Sequence, residues 1–115
     1  MQIEITRDSV AMGDDADAPH REVLEVSDGA TLADAVAEVL RRPYLARIRG
    51  GKATWLIVRA PAVLAVVAEQ WSAPRWLDDP QAPAPSSLHF RYLAQRDPDQ
   101  VYASFSASMR RTTGR

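Results

Sequence analysis

Asp14, Asp15, Asp17 and His20 stand within one seven-residue stretch, the densest group of metal-capable side chains in the chain. Carboxylate oxygens suit magnesium, calcium or manganese, and imidazole suits zinc. The spacing is not that of an EF-hand, which alternates its acidic positions and closes on a glutamate, nor is it HExxH. Turn formation is the plainest reading, because Asp, Gly and Pro19 all favour loops. An acidic surface for another protein is the leading functional one, and a metal site or metal-dependent enzyme is the alternative. No cofactor is expected.

His20 and His89 are the only histidines. A general base is conceivable where His20 meets Asp14 or Asp17. Cysteine is absent, and no serine sits in a Gly-x-Ser-x-Gly setting. Ser9, after Asp8 in a strand-end turn, reads as a satisfied hydroxyl. His89 lies on the strand face opposite Leu88, Phe90 and Tyr92, so it is expected to face solvent or a partner. The chain is therefore read as leaning away from catalysis. Trp71 and Trp76 flank Ser72, Ala73, Pro74 and Arg75, and suit either interface anchors or lids over a small core.

Arg41, Arg42, Arg47, Arg49 and Lys52 form a basic segment, with Tyr44 and Trp55 near enough in sequence to stack bases. A pI near 6.1 is not that of a dedicated nucleic-acid binder. RNA binding is thus the third reading, and water-facing arginines the simpler one. The net charge of −1 hides an asymmetry: residues 1–40 carry ten acidic and two basic side chains, residues 41–115 five and twelve. Two faces of opposite sign can follow, or the halves can pair with each other.

The elements that must position these groups are legible in the periodicity. At 115 residues, 46% hydrophobic and 25% charged, the chain suits one globular domain over 1–109, with 110–115 as a frayed tail. No apolar run approaches the ~20 residues that cross a bilayer, and no leader pattern is seen. A cytoplasmic protein is the simplest expectation. Ile3 and Ile5 alternate with Gln2, Glu4 and Thr6, as in a half-buried strand, and 21–27 reads as a second. Thr31 caps a helix over 31–42 whose Leu32, Val36, Val39 and Leu40 form one stripe, with Asp34 at its positive end and Pro43 as its stop. A short strand is allowed at 47–49. Strands follow at 53–59 and 63–70, apolar on two faces, then an exposed four-proline connection over 72–87. A further strand holds Leu88, Phe90 and Tyr92. Asp97 and Pro98 open a C-terminal helix carrying Val101, Tyr102, Phe105 and Met109.

A hairpin, a crossing helix and further strands resemble the ubiquitin-like β-grasp in layout, which implies an α+β mixed sheet. Carriers of that kind end in Gly-Gly, whereas here Gly50-Gly51 is internal, so conjugation or sulfur transfer is not expected. A narrower resemblance covers about 3–77. The strings 5–10 (ITRDSV), 13–15 (GDD), 18–20 (APH), 50–55 (GGKATW) and 70–71 (QW) resemble a group of small bacterial proteins of unassigned function. That likeness implies a bacterial origin and a self-contained domain, and it transfers no catalytic residue. The expectation is a non-enzymatic protein-binding module, an immunity or inhibitor protein being one form. It would meet a protein partner through Asp8, Asp14, Asp15, Asp17 and His20, with exposed Trp71 and Trp76 as apolar anchors. Pairing of two copies through a hairpin edge is allowed.

Overall fold

The computed structural model describes residues 1–8, 21–42, 54–59, 61–68, 71–93 and 97–113, with side chains as far as 107. The expected strand at 47–49 lies outside them. In chain order the elements are β1 (Gln2–Arg7), β2 (Arg21–Glu25), α1 (Leu32–Arg41), β3 (Thr54–Arg59), β4 (Ala62–Ala68), β5 (Arg75–Trp76), β6 (Ser87–Leu93) and α2 (Pro98–Thr113). The strands form one sheet in the order β2-β1-β6-β3-β4-β5. β1 and β6 run parallel, and every other neighbouring pair is antiparallel. A hairpin, a helix laid across the sheet and a last strand returning beside the first make this an α+β, β-grasp-like fold.

Alternation in β1 and β6 sends Ile3, Ile5, Leu88 and Phe90 to one face, where they pack with Leu32, Ala35, Val36 and Val39 of α1. Trp55, Ile57, Leu64, Ala65 and Val67 complete that core. β3 and β4 are apolar on both faces because the second face is also covered. Leu56 and Val66 point the other way and meet Val101 of α2, with Val58, Leu93, Tyr102 and Phe105 around them. Ile57 pairs with Ala65 and Val58 with Val63, so Leu64 is an extra residue in β4. That bulge lets adjacent Leu64 and Ala65 both serve the α1 side.

The buried stripe of α1 is rotated by about 40° from the expected one, taking Ala35 in place of Leu40. Ala35 is buried and Leu40 is 37% exposed. At ~100° per residue, Leu32, Ala35, Val36 and Val39 share a sector of about 100°, and Leu40 falls outside it. α2 extends past Met109 to Thr113.

The 72–87 connection is more than an exposed link. Four amides at the start of a helix have no intrahelical acceptor, and here each finds one. Leu32 N donates to the Ala82 carbonyl at 2.8 Å and Ala33 N to that of Pro80 at 2.9 Å. Asp34 N donates to Thr31 Oγ1 at 3.1 Å, while Asp34 Oδ2 accepts from Thr31 N at 3.0 Å. Ala35 N then makes the first bond of the helix ladder, to the Thr31 carbonyl at 3.0 Å. Within the same connection, Arg75 stacks 4.0 Å over the Trp71 ring and pairs with Asp99 of α2 at 2.7 Å. Tyr102 of α2 donates its hydroxyl to the Trp76 carbonyl at 3.3 Å. The connection therefore closes the start of α1 and latches β5 to α2.

Thr31→Ala removes one half of the reciprocal cap and should destabilise the fold by about 1 kcal/mol, with Thr31→Ser close to wild type. Equilibrium urea unfolding measures both.

Candidate functional site

The two sheet faces differ in how far they are covered. α1 lies across one face, whereas α2 meets β4 and its neighbours on the other. Among the described residues, the β2-β1-β6 half of that second face carries no helix. Its side chains are Arg21, Val23 and Glu25 from β2, Gln2, Glu4 and Thr6 from β1, and Ser87, His89 and Arg91 from β6, whereas Leu93 at the end of β6 joins the α2 cluster. Asp8 lies at the end of β1. All are exposed or half-buried.

Three cross-strand contacts order this surface. Gln2 Nε2 donates to Glu25 Oε1 at 2.7 Å, and Arg21 pairs with Glu4 at 2.8 Å. The third is a relay across the parallel pair, where Thr6 stands opposite His89. Thr6 Oγ1 lies 2.7 Å from His89 Nδ1, and His89 Nε2 lies 2.8 Å from Asp8 Oδ1. The other Asp8 oxygen accepts the Tyr92 amide at 3.1 Å, and the Asp8 amide donates to the Phe90 carbonyl at 3.0 Å. Asp8 thus continues the pairing of β1 with β6 by side chain as well as backbone.

In the neutral ring, a carboxylate at Nε2 selects the tautomer that carries its proton there, leaving the Nδ1 lone pair to accept from Thr6. Hydroxyl, imidazole and carboxylate in series are also the parts of an activated nucleophile. The Asp8 carboxylate, however, already holds a backbone amide, and Thr6 sits within a paired strand. The arrangement acts as a cross-strand clamp that fixes three polar groups on an accessible face. On the α1 side of the same strand, Arg7 is only 4% exposed and donates from Nη1 to the Asp8 carbonyl at 3.1 Å.

The Glu4 carboxyl is held below its ordinary value of 4.5, first by the hydrogen bond from Arg21 and then by its charge. The same pair raises Arg21. Both side chains are solvent-exposed, so the pair orients the surface more than it stabilises the fold.

Of the sequence-predicted site residues, the structure places Asp8 on this face, bonded to His89. Asp14, Asp15, Asp17 and His20 lie outside the described residues, as do Arg47, Arg49 and Lys52. Trp71 and Trp76 are half-buried and do not form one exposed anchor, because they pack on opposite sides of the sheet. Trp71 joins the α2 cluster and Trp76 the α1 cluster. Arg41 pairs with Glu38, and Arg42 reaches Glu22 at 3.5 Å and Glu38 at 3.8 Å. Those two arginines therefore serve the helix end and β2.

The acidic excess of residues 1–40 is also partly used inside the fold. Glu4, Asp8, Glu22 and Glu38 face cationic groups or His89, Glu25 holds Gln2, Asp34 caps α1, and Asp28 pairs with the Met1 amino group at 3.0 Å. Thr6 and Arg7 were the residues that sequence reasoning passed over, and His89 lies on the face expected of it, opposite buried Leu88 and Phe90. Arg7 carried a signal, since it continues the inward Ile3/Ile5 alternation; the Thr6–His89 link depends on which strands become neighbours.

Comparison with known protein families, curated proteins and solved structures finds no match for this chain. Among the described residues, no helix is long and apolar enough to cross a membrane.

Asp8→Ala should lower stability by about 1–3 kcal/mol, because the His89 Nε2–H and the Tyr92 amide both lose their acceptor. Long-range proton–nitrogen spectra should show neutral His89 protonated at Nε2 in the wild type. A predominant Nδ1–H form would contradict the relay. A lowered Glu4 carboxyl contributes stability above its unfolded value and loses it as pH falls through the folded one. Glu4→Gln should therefore lower the melting temperature slightly at pH 7, and the difference from wild type should vanish as pH falls through the folded value.

Proposed function

We propose that this chain is a non-enzymatic protein-binding module that meets its partner through the uncovered β2-β1-β6 face and the acidic residues that follow Asp8 in sequence. The observation that carries this reading is a half-sheet that bears no helix among the described residues, with its polar groups already fixed by the Thr6–His89–Asp8 relay and the Glu4–Arg21 pair. Side chains held in place before association lose less freedom on binding than mobile ones. Mixed charges in a set pattern favour one partner by complementarity and penalise others.

An immunity or inhibitor protein is one concrete form of this reading. Asp14, Asp15 and Asp17 follow Asp8 in sequence, and such carboxylates can enter a basic cleft where phosphates would otherwise sit. Many acids of residues 1–40 are engaged within the fold, so the proposal rests on the patterned face more than on net charge.

Affinity capture from native-host extract at low salt tests it. Wild-type chain should retain one protein in stoichiometric amount. Ser87→Arg with Arg91→Glu, on the uncovered face, should cut that retention at least ~10-fold, equivalent to about 1.4 kcal/mol. Ser104→Arg, on the exposed side of α2, should leave it unchanged. Failure to retain any stoichiometric protein, or equal retention by all three, would overturn the reading.

A further inference from the structure

We infer that the outer edge of β2 is self-complementary and pairs with β2 of a second copy of this chain. The two edges of the sheet are unlike. β5 spans two residues, follows Pro74 and is latched to α2 through Arg75 and the Trp76 carbonyl. β2 spans five, and among the described residues no strand lies on its outer side.

Antiparallel pairing determines which backbone groups look outward. Met1 and Val26 exchange both backbone bonds, Val26 N to Met1 O at 3.0 Å and Met1 N to Val26 O at 2.7 Å. Bonded and non-bonded pairs alternate along an antiparallel ladder. Leu24 and Glu22 therefore turn their N–H and C=O groups to β1, whereas Arg21, Val23 and Glu25 turn theirs to the open edge.

One two-fold antiparallel register uses all three outward residues. It sets Val23 opposite Val23 of the second copy and Arg21 opposite Glu25, each pair exchanging two backbone hydrogen bonds. Side chains directly opposite share a face. The join would thus carry a Val23–Val23 contact at its centre, flanked on each side by an Arg21–Glu25 ion pair on the uncovered face. An edge guarded against self-association sets like charges opposite one another; the sequence Arg-Glu-Val-Leu-Glu sets opposite ones. The same register gives a use to Val23, a β-branched apolar side chain that is 47% exposed in the single chain.

A join of two five-residue strands is smaller than the ~1,200 Å² of stable interfaces, so the affinity should lie between about 10 µM and about 1 mM. Sedimentation velocity on the purified chain over that range should show the mass rising towards twice the monomer. Val23→Pro deletes an outward donor that the β1–β2 ladder does not use, and should weaken association at least tenfold while the circular dichroism stays native. Arg21→Glu and Glu25→Arg should each be monomeric alone, since each sets like charges opposite, and should associate when mixed in equal amounts. A chain that stays monomeric at about 1 mM would overturn the inference. Association that persists in Val23→Pro, or folded charge variants that fail to associate on mixing, would do so too. Because purified chain alone is used, these results are independent of whether a foreign partner is ever captured.

Discussion

Parallel pairing of the first and last strands is the interaction on which the rest of this molecule depends. Sheet neighbours β1 and β6 come from opposite ends of the described chain. Their union places Ile5 beside Leu88 in the core under α1, and on the reverse face it places Thr6 beside His89. One register therefore determines both the buried and the polar surface. A slip by one residue would turn Ile3 and Ile5 to water and bury Thr6 and Glu4, so burial holds the polar array in place. Asp8 extends the same pairing with its side chain, binding the ring of His89 and the amide of Tyr92.

Among the described residues, α2 covers the second face over only part of its width, which gives the sheet two kinds of surface. β3 and β4 are apolar on both sides because α1 and α2 sandwich them. β2, β1 and β6 are apolar on one side and carry ordered charges on the other. The proline-rich connection between β4 and β6 supports this division. It supplies acceptors to the start of α1 and, through Arg75 and the Trp76 carbonyl, holds α2 against its half of the sheet. Trp71 and Trp76 belong to that structural work, one on each side.

Internal pairing also changes how the charge asymmetry is to be understood. Arg42 of the basic segment binds Glu22 across from α1 to β2, and Arg21, from the acidic part of the chain, binds Glu4. Exposed pairs of this kind contribute little to stability, but they convert a diffuse excess of carboxylates into side chains with set directions. Recognition by such a surface depends on pattern, and the pattern is written by the neighbours each strand acquires.

The sequence by itself determined the local elements. Alternation marked β1, β2 and β6, the Thr31/Asp34 pair opened α1, two-faced apolar runs marked β3 and β4, and Pro98 opened α2. These features are legible because they rest on contacts between residues a few positions apart, or on the period of a single strand or helix. Only the tertiary structure decided that Thr6 meets His89, that Trp71 and Trp76 part to opposite faces, and that Ala35 displaces Leu40 from the core. Each of those outcomes depends on which distant segment becomes a neighbour, and a shared periodicity says which face a residue takes without saying what stands opposite it.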